Sequence, residues 1–511
     1  LDFSQLETTG AYRVFVKGVG SSPVFRVGDD VLDGAFKQAV AAFYQARCGQ
    51  AVKRLTDGEI VVETEGGKAY AHGECHLEDG YIDSEHTKVD GPERYKDGTG
   101  GWHDAGDHGK YTVNTAFSIG LLLSAWEDFG AERLGCLSIQ GVDPVIEGLP
   151  YFLDEVRWGV DWLMKMQMGE GDGRVFHKLT PPAFAHLFSM PDTDTRKRFY
   201  APWGTAATAD FVAVAAFASR IYREYDEAYA DALVVKATLS YSVLRAHPED
   251  VVPDLSAFST GTYVHPEGND VGMRVWAAAE LYEATGDASV LQDLEDLLTD
   301  RLPTAPLQCD DGGFVDDPPC KVSDMMDWSV QTNLGAVRYL TSTRIPDARS
   351  PALVTHVEKH LQVIVELFIR TARANPFHRP MGEFTKWGVN GEVARVTWLL
   401  HAAERVFGAN TTLASEASHA VHHLLGRNMY GRSFVTKVGH NPPHQPHHRP
   451  SLNFLDAWPG LLIGGPNPVW RDSWIDFYSN EIAINWQAGW VYALARNYSA
   501  CSEAGDDSAD S

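Results

Sequence analysis

Two aspartates three residues apart lie in a glycine-rich segment. The run from Gly100 to Tyr111 reads Gly-Gly-Trp-His-Asp-Ala-Gly-Asp-His-Gly-Lys-Tyr and includes Asp104 and Asp107. Glycine permits backbone turns that a Cβ would forbid, so both carboxylates can be directed at one point. Two such groups can bind and deprotonate a water, which is half of the chemistry of glycosidic hydrolysis. The Asp-x-x-Asp spacing alone would favour a calcium loop or a solvated turn.

A lone carboxylate far along the chain is the candidate acid that would protonate a leaving oxygen. Glu481 stands at the start of an apolar stretch, in the run Asn-Glu-Ile-Ala-Ile-Asn-Trp that ends at Trp486. Burial beside Tyr478 or Trp486 would raise its pKa, which an acid catalyst needs near neutral pH. Taken alone, Glu481 is explained more simply as a carboxylate favoured by a helix dipole.

The aspartate segment resembles the Gly-Gly-Trp-(His or Tyr)-Asp-Ala-Gly-Asp signature of glycoside hydrolase family 9, the cellulase-type inverting hydrolases. The resemblance implies that Asp107 is the catalytic base and that Asp104 binds and orients the attacking water. It also implies that Glu481 is the general acid, since the pattern Asp-x4-Phe-x3-Glu-x-Ala that ends at Ala483 resembles the family's C-terminal signature. Gln487 stands where the family usually has Asn, a difference that affects packing near the acid.

A histidine-rich loop lies between the two carboxylate motifs. Four histidines fall between His440 and His448, separated by prolines. Such a cluster admits a metal site, but the prolines favour a rigid loop instead. The segment resembles the family's Pro-His-x-Arg substrate loop, which implies that His447 and Arg449 hydrogen-bond sugar hydroxyls beside the cleavage point. Arg449 is also a candidate to steady a catalytic carboxylate.

Aromatic residues are candidates for stacking on sugar rings, since the chain has 14 Trp. Trp faces stack well on the apolar faces of sugars, although core packing is the simpler explanation for any single one. The candidates that fall in loops or at helix starts are Tyr200, Trp203, Trp328, Trp387 and Tyr478. Among them we select Trp203 and Tyr478 as substrate-binding residues.

Two cysteines and two histidines are candidate zinc ligands. Cys48, Cys75, His76 and His103 satisfy the tetrahedral preference of zinc, although the spacing is a weak signal by itself. The alternative is two unpaired thiols and two unrelated histidines. Some family members with an N-terminal immunoglobulin-like domain carry structural zinc on matching ligands. The resemblance therefore implies a zinc ion that clamps the Asp104 loop to the rest of the domain.

The remaining cysteines and one acidic loop are candidates for a disulfide and a calcium site. Cys309 and Cys320 bracket a turn and are candidates for a local disulfide if the protein is exported, whereas Cys136 and Cys501 are expected to be free. Four acidic side chains around the same turn are candidate calcium ligands: Asp310, Asp311, Asp316 and Asp317.

The hydrophobic pattern predicts a mainly helical protein with a short β segment in front. Residues 1–29 alternate in the manner of strands and resemble the last strands of an incomplete immunoglobulin-like sandwich. Residues 30–511 form the second predicted domain. Apolar periodicity, read together with the family resemblance, predicts twelve helices there, near 32–47, 112–128, 150–167, 206–223, 227–247, 269–285, 287–300, 324–343, 351–374, 390–407, 412–426 and 482–499. Six helical hairpins in a ring make an (α/α)6 barrel, the fold that the resemblance implies.

The charge and composition of the chain argue against some classes of binding partner. The formal net charge of −26 argues against nucleic acid and against anionic membrane surfaces. No apolar run long enough to cross a membrane is present, and the N-terminal residues, which begin Leu1-Asp2-Phe3-Ser4, show no basic-then-apolar signal pattern. We interpret that start as processed or trimmed. A secreted or periplasmic location is favoured, a cytoplasmic one stays open, and the oligomeric state is undetermined.

The resemblance implies an inverting hydrolase of β-1,4-linked glucosyl chains in cellulose or cello-oligosaccharides. An inverting enzyme holds its acid and base carboxyls roughly 6.5–9.5 Å apart, to leave room for water. Endo and exo action are not distinguished. The alternatives are an exo-β-D-glucosaminidase acting on chitosan oligosaccharides, a non-catalytic carbohydrate-binding relative, and a zinc hydrolase with metal at the reactive centre.

Overall fold

The computed structural model describes residues 6–22, 24–56, 59–60, 70–264, 270–301, 326–344 and 348–499 of the 511-residue chain. The Cys309–Cys320 pair, Cys501 and the four candidate calcium ligands lie outside these ranges. Cys136 is disulfide-bonded, so the expectation of a free thiol there is wrong. Among the described residues, no helix combines the length and apolar character needed to cross a membrane.

The described residues contain fourteen α-helices, twelve of which correspond to the twelve predicted from the sequence. The helices are α1 (Asp33–Ala46), α2 (Thr112–Leu134), α3 (Tyr151–Lys165), α4 (Thr205–Tyr222), α5 (Glu227–Ala246), α6 (Val271–Thr285), α7 (Ala288–Arg301), α8 (Thr332–Thr341), α9 (Pro351–Ala374), α10 (Val389–Phe407), α11 (Thr411–Leu424), α12 (Arg449–Phe454), α13 (Phe477–Asn480) and α14 (Ile484–Ala495). The two additional helices, α12 and α13, are short and lie in the long loop before α14.

Six helices form an inner ring and six cover it. The inner helices α2, α4, α6, α8, α10 and α14 pack in that order, and α14 closes the ring against α2. Each inner helix packs against an outer helix, namely α3, α5, α7, α9, α11 and α1, respectively, and some outer helices also contact a second inner helix. The sequence explains the two layers, because α4 is Ala-rich and buried on nearly all sides whereas α5 buries a single stripe. This arrangement confirms the (α/α)6 barrel.

Short strands occupy the loops and the N-terminal segment. They are β1 (Gly10–Tyr12), β2 (Phe15–Val16), β3 (Gly20–Ser21), β4 (Phe25–Val27), β5 (Val52–Lys53), β6 (Leu55–Thr56), β7 (Glu59–Ile60), β8 (Tyr70–His72), β9 (Tyr81–Ile82), β10 (Arg94–Tyr95), β11 (Lys110–Tyr111), β12 (Gln167–Gly169), β13 (Asp172–Val175), β14 (Lys178–Thr180) and β15 (Phe199–Tyr200). A five-stranded sheet in the order β10-β9-β15-β14-β11 supports the aspartate loop, which runs directly into β11.

The N-terminal strands form two separate antiparallel pairs, β1 with β4 and β2 with β3. Phe15 and Val19 in this segment are largely exposed, at 70% and 85% of their surface. The assignment of residues 1–29 to an immunoglobulin-like sandwich, and the boundary at residue 30, stay predictions.

Candidate active site

Main-chain pairing joins three distant segments at the mouth of the barrel. Ala105 pairs with Ala483, and Glu481 pairs with His447, in isolated β-bridges. The amide of Ile484 also donates to the Asp104 carbonyl at 2.9 Å. Because these contacts are between backbones, they fix the aspartate loop, the histidine loop and the start of α14 relative to one another. Asp104, Asp107 and Glu481 are thereby brought to one cavity.

Gly106 lies where the three segments are closest. A Cβ at this position would be 2.4 Å from the His447 carbonyl oxygen and 3.2 Å from Glu481 Oε1. Real Cβ atoms do not approach a carbonyl oxygen so closely, so only glycine fits without a shift of the backbone. The glycine of the motif therefore sets how near the aspartate loop comes to the glutamate.

Asp107 is held by two donors. Its Oδ2 accepts hydrogen bonds from the Gly109 amide at 2.9 Å and from the Tyr111 hydroxyl at 3.0 Å. Both hydrogen bonds are made to Oδ2 and neither is made to Oδ1. The carboxylate is 8% exposed and lines the cavity, so it can reach a water bound there.

Asp104 is held by a different pair of donors. Asn114 on α2 donates to Oδ1 at 2.7 Å, and the Tyr263 hydroxyl donates to Oδ2 at 2.6 Å. Burial, together with the neighbouring charge of Asp107, raises the pKa of Asp104 to about 8, although both hydrogen bonds oppose that rise. The two donors hold the Asp104 carboxylate in one orientation, which the spacing of the motif did not specify.

Glu481 lies in the wall of the same cavity, with most of its surface covered. Burial raises its pKa well above the ordinary value, and the charges of Asp107 and Asp104 add to that rise. A hydrogen bond from the Gly106 amide and the charge of Arg449 act in the other direction. The net effect favours a protonated carboxyl group, as an acid catalyst requires.

His447 and Arg449 flank the three carboxyl groups. His447 Nδ1 lies 2.6 Å from the Trp474 carbonyl, which assigns the proton to Nδ1 and leaves Nε2 as an acceptor. Arg449 donates from Nη1 to the Gly106 carbonyl at 2.5 Å and from Nη2 to the Ala185 carbonyl at 3.0 Å. Both residues line the cavity, but Arg449 also fastens the aspartate loop to the loop that contains Ala185.

The cavity has a volume of about 690 Å³, and aromatic rings form part of its lining beside the carboxyl groups. Tyr263, Trp328, Trp387, Phe184 and Phe477 contribute rings to its lining. Apolar faces bordered by hydroxyl and amide groups suit the alternating faces of a sugar ring.

The predicted stacking residues differ in position. Tyr478 lies at the rim, half exposed, with its ring 5.4 Å from that of Trp387. Trp203 does not line this cavity; its ring packs against His247 and under Arg174. Tyr200 is fully buried in the core. Sequence position near a helix start therefore did not distinguish cavity aromatics from packing aromatics.

A charged network lies in the cavity wall beyond the aromatic residues. Lys386 Nζ is 2.6 Å from Asp327 Oδ2 and 2.6 Å from Glu392 Oε1, and Arg395 pairs with Glu392 at 3.0 Å. All four residues contact the cavity. Each carboxylate of this network therefore has a cationic partner.

Behind the aspartate loop, the four candidate zinc ligands come together. Ligand atoms of Cys48, Cys75, His76 and His103 all lie within 4.8 Å of one another, and both thiols are free. His76 Nδ1 is 3.4 Å from Cys48 Sγ and 3.3 Å from His103 Nε2. Zinc bonds of about 2.0–2.3 Å in tetrahedral geometry separate ligand atoms by roughly 3.3–3.8 Å, so these residues fit a zinc ion.

This metal cluster, Cys48 with Cys75, His76 and His103, is outside the large cavity. His76 has a left-handed backbone at φ 47°, which a non-glycine residue adopts at a cost of about 1–3 kcal/mol. Such strain is maintained only where the surroundings require it. The His103 amide also donates to the Ala46 carbonyl at 2.7 Å, which ties the cluster to α1.

An (α/α)6 barrel that brings two aspartates and a glutamate of raised pKa to one cavity is typical of a glycoside hydrolase. A family model described as glycosyl hydrolase family 9 matches residues 33–494. The chain belongs to this family, as the sequence motifs predicted.

Named relatives support the membership. Endoglucanase D of Acetivibrio thermocellus is 37% identical over 500 residues, covering 97% of this chain and 74% of that protein. A cellodextrinase of Butyrivibrio fibrisolvens is 32% identical over 525 residues, covering 97% of this chain and 88% of that protein. Among solved structures, a Zn-binding triple mutant of family 9 endoglucanase J30 superposes with a TM-score of 0.84 at 27% identity, covering 98% of this chain and 90% of the other.

Proposed function

We propose that this chain hydrolyses β-1,4-glucosidic bonds in cellulose-derived chains by a single inverting displacement. Asp107 removes the proton from the attacking water, Asp104 fixes the position of that water, and Glu481 protonates the leaving oxygen. The observation that supports this most strongly is the backbone pairing of Ala105 with Ala483, which places both kinds of carboxyl group on one cavity. The raised pKa of Glu481 supports its role as acid.

The cavity favours a neutral sugar over glucosamine. The carboxylates of Asp327 and Glu392 are neutralised by Lys386 and Arg395, so neither is left to pair with a substrate ammonium group. His447 and the aromatic residues Trp328 and Trp387 supply the acceptor and ring faces that glucosyl units need.

Product analysis on two matched tetrasaccharides tests the proposed substrate. We expect release of shorter sugars from cellotetraose and at least a hundredfold slower release from the β-1,4-linked glucosamine tetramer. An Asp107→Asn variant controls for background hydrolysis and should release neither. Faster cleavage of the glucosamine tetramer would contradict the assignment and favour an exo-glucosaminidase.

We also infer that the metal cluster holds a structural zinc ion. Two thiolates and two imidazoles match zinc chemistry, and they would cross-link α1 to the aspartate loop. Zinc here supplies only this cross-link, while proton transfer to and from substrate is left to Asp107 and Glu481. Hydrogen bonds from Lys110 Nζ to the Gly98 and Gly100 carbonyls, at 2.7 and 2.8 Å, hold the same loop from its other side.

A further inference from the structure

Asp194 lies between the metal cluster and the loop of the proposed catalytic base. Its Oδ2 is 3.7 Å from Nδ1 of His108, the residue after Asp107. Ligand-capable atoms of Asp194, His108 and His76 all lie within 4.8 Å of one another. The Asp194 side chain is 3% exposed, so its oxygens are directed into the protein rather than into solvent.

The two histidines have ring nitrogens without partners among the described residues. His76 directs Nδ1 at the other cluster ligands, which leaves Nε2 buried and unpaired. Both ring nitrogens of His108 are likewise buried without a hydrogen bond. Buried polar groups are normally satisfied, and a metal-bound histidine almost always donates its second N–H to a carboxylate, carbonyl or water. Asp194 is the carboxylate that is close to both rings.

The position of Arg196 distinguishes between two roles for the Asp194 carboxylate, as a metal ligand or as an acceptor of hydrogen bonds from the histidine rings. Its Nε lies 2.7 Å from Asp194 Oδ1 and its Nη2 lies 2.6 Å from Oδ2. A second metal ion bound by Asp194, His76 and His108 would meet this guanidinium at close range, and the charges would repel. A carboxylate that is held by arginine and accepts ring N–H groups has no such conflict.

We propose that Asp194 is a positioning residue that accepts hydrogen bonds from His76 and His108 and so couples the zinc cluster to the loop of Asp107. The inference rests on the zinc ion proposed above. It assigns to Asp194 the carboxylate partner of a carboxylate–histidine–zinc arrangement. The Asp194 side chain then orients both His76, a zinc ligand, and His108, the residue after the proposed base.

Zinc affinity of Asp194→Asn tests the inference, measured on the full chain by competition with a chromophoric chelator. We expect zinc to bind about 10–100-fold more weakly than in the unaltered protein. Asp172→Asn is the matched control, because Asp172 makes the same two-bond contact with Arg174 but lies near no histidine of the cluster. The control should bind zinc as the unaltered protein does.

Each of the following results would overturn the inference. Equal zinc affinity in Asp194→Asn and the control would remove Asp194 from the site while leaving the zinc proposal intact. Two zinc ions per chain would favour a second metal at Asp194 itself. No zinc in the unaltered protein would remove both proposals. If the Asn variant fails to fold, Asp194→Glu replaces it, because this variant keeps the negative charge. We expect its zinc affinity to lie within about threefold of the unaltered value. A loss of about tenfold or more in zinc affinity would contradict the proposed role of Asp194.

Discussion

At the scale of residues, burial of Glu481 supports the acid role that we propose for it. The carboxyl group is buried beside two aspartates, and both effects raise its pKa. A hydroxyl-like leaving group needs a proton in the transition state, whereas a strongly acidic phenol leaves without one. The proposed roles therefore predict different behaviour toward different leaving groups.

Glu481→Gln should lower kcat on cellotetraose by about 10²–10⁴-fold, because the general acid is lost. The same variant should hydrolyse 2,4-dinitrophenyl β-cellobioside within roughly tenfold of the unaltered rate, since this leaving group needs no proton. Steady-state rates on both substrates measure the difference. Equal losses on the two substrates would show that Glu481 does not act as the acid.

Tyr263 is one of the site residues that sequence reasoning missed. Its hydroxyl donates to Asp104 at 2.6 Å, and its backbone is left-handed at φ 46°. Neither the tyrosine nor its distance of 159 residues from Asp104 carries a sequence signal. The motif predicted that the Asp104 carboxylate would be directed at a water, but it did not predict which side chains would hold the carboxylate in that orientation.

Tyr263→Phe should reduce kcat by about 10–100-fold with little change in KM, because Asp104 loses one of its two orienting donors. Tyr229→Phe is the control, since Tyr229 makes a similar 2.7 Å bond to Asp161 away from the cavity. Unaltered kcat in Tyr263→Phe would remove this hydrogen bond from the mechanism.

At the scale of elements, the twelve long helices were predictable and the loops were not. Apolar periodicity indicated most helix ends within about four residues, because an apolar stripe that packs on a neighbour repeats along the sequence. The exceptions are α2, which ends at Leu134 rather than 128, and α8, which begins at Thr332 rather than 324. The pairing of Ala105 with Ala483 and of His447 with Glu481 joins backbones more than 300 and 30 residues apart, respectively. Main-chain pairing leaves no side-chain signature, so only the family motifs indicated that these segments meet.

Gly106→Ala should lower kcat/KM by about 10²-fold or more, because the added Cβ must displace the His447 carbonyl or the aspartate loop. Gly34→Ala is the matched control: a Cβ there would have no atom within 4 Å, and the residue occupies the first turn of α1. The control should be as active as the unaltered protein and at least as stable. Full activity in Gly106→Ala would mean that the close approach is dispensable.

At the scale of the whole molecule, the inner ring is fastened at its far end by alternating charges. Four consecutive inner helices contribute Glu127, Arg220, Glu280 and Arg338, and each arginine bridges both glutamates at 2.5–3.0 Å. These residues lie in the C-terminal parts of their helices, whereas Asn114 near the start of α2 reaches the active site. The charged ring and the candidate active site therefore lie at opposite ends of the barrel.

Acid should weaken this charged ring by protonating its glutamates. Burial opposes the charge on Glu127, but Arg338 and Arg220 outweigh burial and lower its pKa to about 2. A lowered folded-state pKa gives stability that is complete above about pH 4.5 and is lost as pH falls toward 2. Glu127→Gln should therefore lose on the order of 2–3 kcal/mol at pH 7 and much less at pH 3.

Unfolding midpoints of Glu127→Gln at pH 7 and pH 3 measure this difference. Glu366→Gln is the control, because Glu366 is exposed on the outer helix α9. Parallel pH curves for the Glu127 variant and the unaltered protein would contradict the role of the ring.

The anomeric form of the first product tests the central claim most directly, namely that Asp107 and Glu481 act across one cavity with a water between them. Proton NMR during early hydrolysis of cellotetraose resolves the newly formed reducing end before mutarotation. A single displacement on a β-linkage predicts the α-anomer as the initial product. The β-anomer as the initial product would show a double displacement and contradict the account.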